Sequence, residues 1–120
     1  MFKEMLSWGL ALVLTAGCSG VLEVTDPVPL EPGAVQHSAA ALVAACSGRT
    51  VSAGDVRWFV VEEFAEHPDA LGGWEKPNSV YLLPAAVGDL KVNAHELLHN
   101  VLRGNPSHSH PLWALCGVMP

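Results

Sequence analysis

The chain has 120 residues, a length that fits one small domain and excludes a multidomain assembly. Hydrophobic residues make up 50% of the chain and charged residues only 15%, a composition that argues against intrinsic disorder. Twelve acidic and six basic side chains give a net charge of −6, and no basic run occurs, which argues against nucleic acid as a partner. The composition is therefore that of a small acidic globular domain.

Residues 1–17 have the pattern of a secretory signal peptide. An uncharged stretch follows Lys3 over residues 5–17, and it is shorter than the roughly 20 apolar residues that a membrane-spanning helix needs. Residues 14–18 (LTAGC) resemble the cleavage box of bacterial lipoproteins, in which Cys18 receives the lipid. The alternatives are an ordinary first helix, or a plain signal peptide cleaved nearby with Cys18 as a free thiol.

The lipoprotein interpretation predicts export to the bacterial cell envelope, at the outer membrane or the periplasmic face, with lipid on Cys18 as the only membrane attachment. Residues 18–33 contain three prolines and little periodicity, which predicts an extended tether. The folded domain is then expected over residues 34–120, as a monomer.

The middle of the chain predicts one helix and two strands. Residues 36–46 (QHSAAALVAAC) are rich in alanine and predict a helix of about three turns packed on a sheet. Residues 56–61 (VRWFVV) predict a central strand, and residues 79–83 (SVYLL) predict a second strand that ends at Pro84. Residues 65–78 contain two prolines and two adjacent glycines, which predict a loop at the edge of a cleft.

Residues 89–103 (DLKVNAHELLHNVLR) give the strongest helical pattern in the chain. Asp89 is a suitable N-cap, and Gly104 is suited to the left-handed position that ends a helix. Apolar residues at helical spacing form one stripe: Leu90, Ala94, Leu97, Leu98, Val101 and Leu102. The tail over residues 107–120 offers Trp113 and Leu115 for packing against the domain.

Two histidines on this helix are spaced to bind one metal ion. His95 and His99 lie four residues apart and therefore project from the same face, which allows both to bind one Zn²⁺ ion at about 2 Å. Glu96 lies about 100° around the helix from His95, where it can reach a water in the open coordination position. This pattern predicts Glu96 as the general base, which then passes the proton to the leaving amine. The alternative is an exposed helix face with two ordinary histidines.

A catalytic zinc site takes a third protein ligand. No Asp or Glu follows Glu96, so the donors that remain downstream are His108, His110 and Cys116. We predict His108, because residues 104–106 can reverse the chain and carry it back over the metal. His110 is the alternative ligand, or a second donor near the substrate, because alternate residues of an extended segment share a face.

Two cysteines remain once Cys18 carries lipid. In an exported protein we expect Cys46 and Cys116 to form a disulfide. The enclosed loop of about 70 residues would stabilise the domain by roughly 4 kcal/mol in the chain-entropy model. The alternatives are that Cys116 binds the metal or that both thiols are free.

Residues 94–104 (AHELLHNVLRG) resemble the active-site helix of the His-Glu-x-x-His zinc metallopeptidases, the zincin group. With its leader and its size, the chain also resembles small zinc-peptidase-like lipoproteins of bacteria. The resemblance implies that His95 and His99 are zinc ligands and that Glu96 is the general base. The spacing departs from the metzincin subclass, in which a third histidine would stand at Asn105.

The resemblance also implies a minimal zincin-like α+β domain, in which a small sheet packs against the active-site helix and an N-terminal helix. A strand above the active-site helix would line the substrate cleft, and residues 79–83 are the candidate for that strand. Tyr81 and His110 are candidate donors to the oxyanion, with half-buried packing as the alternative for Tyr81.

The sequence therefore predicts a membrane-tethered zinc peptidase with one Zn²⁺ ion, acting on peptides or misfolded envelope proteins. The alternative is a non-catalytic zinc-binding envelope lipoprotein, whose metal is structural or whose cleft binds a partner. A third hypothesis is a lipoprotein for metal scavenging or assembly, in which the site is incidental.

Overall fold

The computed structural model of the chain describes residues 22–120. The predicted signal peptide, the lipidation site Cys18 and the first residues of the predicted tether lie outside the described residues. The described part has an α+β fold with a mixed four-stranded sheet and three α-helices. The elements in chain order are β1 (Val28–Pro29), α1 (Ala34–Ser47), β2 (Arg57–Val60), β3 (Gly72–Glu75), β4 (Ser79–Leu82), α2 (Leu90–Leu102) and α3 (Leu112–Leu115).

The sheet has the strand order β1-β2-β4-β3. The two central strands, β2 and β4, run parallel with Arg57 opposite Ser79, and each edge strand is antiparallel to its neighbour. Aromatic and β-branched residues fill β2 and β4, as the sequence predicted, because such side chains pack well on a pleated surface. One apolar core joins the sheet to the helices and includes Ala39, Val43, Trp58, Trp74, Val80, Leu82, Ala94, Leu97, Leu98 and Trp113.

Strand β3 lies within residues 65–78, so the prediction of a continuous loop there was wrong. The strand was not predicted because it contains two adjacent glycines, and glycine weakens the sequence pattern of a strand. They are needed for close packing: a Cβ on Gly73 would lie 2.8 Å from Leu22 Cδ1, and one on Gly72 would lie 3.0 Å from Val92 Cγ1. Strand β3 is an edge strand of the sheet, and its two glycines allow it to pack closely against its neighbours, which include α2.

Part of the predicted tether over residues 18–33 belongs to the sheet. Val24 forms an isolated antiparallel bridge with Phe64, and β1 pairs with β2. The Leu30 backbone N–H also donates to the Trp58 carbonyl oxygen at 2.9 Å. These hydrogen bonds extend the folded domain toward the N-terminus beyond the predicted start at residue 34.

The two long helices are joined by buried polar side chains. Gln36 Oε1 accepts a hydrogen bond from the Gly33 N–H at the start of α1, at 2.9 Å. The Gln36 amide nitrogen donates to Asn93 Oδ1 at 2.9 Å, and Asn93 Nδ2 donates to the Asp89 carbonyl oxygen at 2.8 Å. Because Asn93 is fully buried, these contacts fix the N-terminal end of α2 against α1.

Helix α2 begins as predicted and ends one residue earlier than predicted. Asp89 is the N-cap, and its Oδ1 accepts a hydrogen bond from the Val92 N–H at 3.1 Å. The left-handed residue at the C-terminal end is Arg103, with a φ of 60°, rather than Gly104. The Gly104 N–H still donates to the His99 carbonyl oxygen, which closes the last turn.

The predicted disulfide between Cys46 and Cys116 is confirmed, with a Cα–Cα distance of 5.3 Å. It joins the end of α1 to the residue after α3. Trp113 is completely buried, as expected, whereas Leu115 is 68% exposed and does not pack against the domain. None of the helices within residues 22–120 combines the length and the apolar character needed to cross a bilayer.

Candidate metal centre

Three histidine side chains converge at one end of α2. His108 Nε2 lies 3.2 Å from His95 Nε2 and 3.2 Å from His99 Nε2. Two nitrogens that bind one tetrahedral Zn²⁺ ion at about 2.05 Å each are about 3.3 Å apart. These three rings are therefore close enough to hold a metal ion, and in the described part of the chain they form the only such group of His, Cys, Asp or Glu.

Backbone carbonyl groups orient the two helical histidines. His95 Nδ1 lies 2.6 Å from the Val118 carbonyl oxygen, and His99 Nδ1 lies 2.7 Å from the Gly104 carbonyl oxygen. A carbonyl oxygen can only accept, so each Nδ1 carries the proton and donates it. The Nε2 lone pairs of both rings then point toward the shared site, as in metal-binding histidines whose other ring nitrogen donates to a carbonyl oxygen.

The loop after α2 carries the third histidine in an unusual backbone conformation. Arg103, Asn105 and His108 have φ values of 60°, 61° and 57°, in the left-handed region that residues with a Cβ seldom adopt. The His108 N–H donates to the Asn105 carbonyl oxygen at 3.0 Å and closes a turn between them. Such strain is tolerated where the surrounding structure fixes the conformation, and here it brings His108 to the other two rings.

Trp113 packs against all three rings. Its ring centroid lies 4.7 Å from that of His95 and 4.6 Å from those of His99 and His108. Its indole N–H donates to Asn105 Oδ1 at 2.7 Å. The sequence predicted only that Trp113 packs against the domain. Its contact with the histidines could not be predicted, because no regular sequence spacing connects Trp113 with residues 95 and 99.

Burial keeps the three imidazoles in the neutral form. It lowers the pKa of His95 and His108, and it lowers the pKa of His99 to about 4. Removal from water penalises the charged imidazolium, and this is the largest cause in each case. Near neutral pH the three rings therefore offer lone pairs, which is the form that binds a metal.

Glu96 lies beside this cluster with an unpartnered carboxylate oxygen. Its side chain is only 4% exposed, and within the described residues its Oε1 has no hydrogen-bond partner. Burial raises the pKa of Glu96 to about 8. The carboxylate approaches β3 closely, because a Cβ on Gly72 would lie 3.2 Å from Glu96 Oε2. Glycine at this position therefore leaves the space that the carboxylate occupies.

A pocket of about 430 Å³ opens beside Glu96 and His95. Its apolar lining includes Leu71, Val92 and Met119, which come from the residue before β3, from α2 and from the C-terminal tail. Leu71 and Met119 are 47% and 44% exposed, so this pocket presents apolar surface to solvent. The lining also includes the charged residues Asp69, Asp89 and Lys91. Glu96 and one of the histidines thus face the same pocket, whose lining combines apolar and charged side chains.

The structure does not bring Tyr81 to the histidines. Alternation along β4 turns Val80 and Leu82 into the core, so Tyr81 faces the other side of the sheet. There its hydroxyl donates to Glu75 Oε1 at 3.2 Å, and its ring stacks on Phe59. The predicted cleft strand is also corrected: β4 lies inside the sheet, and the edge strand beside Glu96 is β3.

His110 and Cys116, the other downstream donors, have different contacts. The Leu112 N–H donates to His110 Nδ1 at 3.1 Å, which places that ring at the start of α3 and outside the histidine group. Cys116 is in the disulfide and cannot act as a thiolate ligand. The sequence-based choice of His108 over His110 therefore agrees with the geometry.

No protein-family model matches the chain, and no curated protein or solved structure gives a significant match. Support for a metal site therefore comes from the geometry of the three histidines and Glu96.

Proposed function

We propose that the chain is a zinc-dependent peptidase. The observation that carries this proposal is the convergence of three imidazole Nε2 atoms beside the buried side chain of Glu96, whose Oε1 has no hydrogen-bond partner among the described residues. Three protein ligands are typical of catalytic zinc sites, whereas structural sites use four. A carboxylate left without a hydrogen-bond partner is costly to bury, and its retention favours a role toward a water or a substrate.

In this proposal His95, His99 and His108 would hold the ion. Bound Zn²⁺ supplies Lewis-acid chemistry, which lowers the pKa of a water molecule and polarises a carbonyl group. Glu96 would be ionised there, because a nearby positive charge lowers the pKa of a carboxyl group. It would accept a proton as the water oxygen bonds to the peptide carbon, and it would deliver that proton to the amine nitrogen as the C–N bond breaks.

The outer edge of β3, on which no strand pairs within residues 22–120, favours an extended peptide as substrate. The Leu83 N–H donates to the Leu71 carbonyl oxygen at 3.0 Å, which makes this a hydrogen-bonded pair of the hairpin. Because such pairs alternate along antiparallel strands, the N–H and C=O of Gly72 point away from β4. A peptide that adds to this edge would pass beside Glu96, and the adjoining pocket would accept an apolar side chain.

The Glu96→Gln variant tests the catalytic role. We expect it to bind one Zn²⁺ ion per chain in a calorimetric titration, because the three histidines are intact. We expect hydrolysis of a broad peptide library to fall by at least about 100-fold, the usual contribution of a general base. Cleavage at the wild-type rate would contradict the proposal.

The metal site itself is tested by a matched pair of histidine variants. His108→Ala should weaken Zn²⁺ binding strongly, whereas His37→Ala, on the exposed face of α1, should leave it unchanged. If the zinc-loaded wild type binds the metal but cleaves no peptide in the library, the function is that of a non-catalytic zinc-binding protein.

We also propose that the protein is exported and anchored in the bacterial envelope through Cys18. The disulfide supports an oxidising compartment, because such bonds persist mainly outside the cytosol. Incorporation of labelled palmitate into the wild type, and its loss in Cys18→Ser, would support the anchor. A wild-type chain that incorporates no palmitate would contradict it.

A further inference from the structure

We infer that Asn105 is the positioning residue of this metal centre, through its hydrogen bond to the indole of Trp113. The inference rests on the proposed metal site and adds a residue that is not itself a ligand. It concerns how the third histidine is held in place after the chain leaves α2.

The Asn105 side chain connects both ends of the loop that carries His108. Its Oδ1 accepts hydrogen bonds from Trp113 Nε1 at 2.7 Å and from the His110 N–H at 3.1 Å. Its Nδ2 donates to Ser109 Oγ at 3.3 Å, and its carbonyl oxygen accepts from the His108 N–H at 3.0 Å. One residue therefore sets the path of the chain on both sides of the third ligand.

Trp113 connects Asn105 to the proposed metal ligands, because its indole is hydrogen-bonded to Asn105 and packs against the histidine rings. Its ring lies within 4.7 Å, centroid to centroid, of each of the three imidazoles. The indole is completely buried, and a buried N–H that loses its acceptor is left without the water that would otherwise replace it, which destabilises its position. Without the Asn105 acceptor we expect the indole to tilt toward another partner, and the histidine rings packed against it would move with it.

The backbone at Asn105 decides which variants are informative. Its φ of 61° favours Gly, Asn or Asp, so an alanine variant would combine backbone strain with the loss of the side chain. Asn105→Gly removes the acceptor and tolerates the conformation. Asn105→Asp keeps an acceptor oxygen for Trp113 and His110 while it loses the donor to Ser109.

The experiment uses the full chain with its disulfide intact, titrated with Zn²⁺ for affinity and with Co²⁺ for the absorption spectrum of the bound ion. We expect Asn105→Gly to weaken Zn²⁺ binding about 10- to 100-fold, as outer-sphere variants do, and to alter the Co²⁺ spectrum. Asn105→Asp should restore both to near wild-type values. Ser109→Ala, which removes the partner of Nδ2 and of the Ser107 hydroxyl but leaves Asn105 Oδ1 and its two donors in place, should change neither.

A double-mutant cycle tests the route through Trp113. Trp113→Phe keeps an aromatic ring but has no N–H, so Asn105→Gly should weaken Zn²⁺ binding less in that background than in the wild type. Additive losses would overturn the route through the indole. An Asn105→Asp variant that loses as much affinity as Asn105→Gly would overturn the role of the acceptor oxygen.

The remaining outcomes separate this inference from the proposed function. If the wild type binds neither Zn²⁺ nor Co²⁺, the metal site fails. If the wild type binds both and Asn105→Gly behaves identically, only the positioning role fails. If metal-free Asn105→Gly lacks the wild-type circular dichroism spectrum at low temperature, Asn105 serves the fold as a whole and the positioning role is overturned.

Discussion

The two halves of the candidate metal centre are built in different ways. Helix α2 supplies His95, Glu96 and His99 through its local periodicity alone. The segment over residues 103–118, which we call the C-terminal segment, supplies His108 through left-handed residues, a turn and the support of Trp113. The first half is therefore a property of one helix, and the second half requires tertiary structure.

The two halves also depend on each other. The carbonyl oxygens that orient the two helical histidines belong to Gly104 and Val118, both in the C-terminal segment. The helix alone would place both imidazoles on one face without fixing their rotation or the nitrogen that carries the proton. Disturbing the segment should therefore impair ligands that it does not itself contain.

The largest expected effect comes from opening the disulfide, which ties the C-terminal segment to α1. The double variant Cys46→Ser, Cys116→Ser should lower the free energy of unfolding in urea by up to about 4 kcal/mol, because the unfolded chain gains the entropy of a 70-residue loop. Zn²⁺ affinity at low temperature should fall as well, since Trp113 and Val118 flank Cys116. Unchanged Zn²⁺ affinity in the folded variant would show that the segment holds its position without the covalent bond.

A smaller effect is expected at the contact between β3 and α2. Gly72→Ala should lower the free energy of unfolding by about 1–3 kcal/mol, because the new Cβ would lie 3.0 Å from Val92 Cγ1 and 3.2 Å from Glu96 Oε2. Gly88→Ala is the matched control, since a Cβ there meets no atom within 4 Å. Equal stability of the two variants in urea unfolding would contradict the close approach.

The smallest effect is the pH dependence of stability in the metal-free protein. Glu96 has a pKa of about 8 when folded and about 4.5 as its ordinary value. Between these values the folded chain keeps a proton that the unfolded chain has released, so the free energy of unfolding falls as the pH rises. From pH 6.5 to 8 the fall attributable to Glu96 should be on the order of 1–2 kcal/mol.

Glu96→Gln, in the absence of metal, isolates this effect. The histidines contribute in the opposite direction: folding lowers their pKa values below the ordinary 6.5, so the stability they lose on acidification is lost mainly below pH 6.5, with a smaller part between pH 6.5 and 8 that partly offsets the Glu96 effect in the wild type. Urea unfolding at pH 6.5 and at pH 8 should therefore show a decrease for the wild type that Glu96→Gln lacks. Equal decreases in both proteins would contradict the burial of an uncompensated carboxyl group.

The same contrast explains which features the sequence could predict. The helix with its Asp89 cap and the histidine pair follow from spacing, and the disulfide follows from the cysteine count together with the prediction of export. The convergence of His108 on this pair could also be predicted, because few candidate donors follow Glu96 in the sequence.

Other features leave little trace in the sequence. Strand β3 was missed because its glycines serve close packing and resemble turn residues. Tyr81 was a candidate oxyanion donor because its strand was predicted to line the cleft; the alternative of half-buried packing holds instead, since the pairing order of strands is not encoded locally. The roles of Asn105 and Trp113 depend on contacts across the loop, and the Val118 carbonyl group is a backbone feature with no sequence signature.

The packing of Trp113 against all three imidazoles has a practical consequence. Indole emission is sensitive to the charge and chemistry of neighbouring rings, so the occupancy of the site can be followed by intrinsic fluorescence without an attached dye. Replacing the other three tryptophans, Trp8, Trp58 and Trp74, by phenylalanine in turn would assign the signal. Trp58 lies on β2, and Trp74 stacks at 6.4 Å on His99. The domain thus carries its own optical reporter at the point where its chemistry is expected.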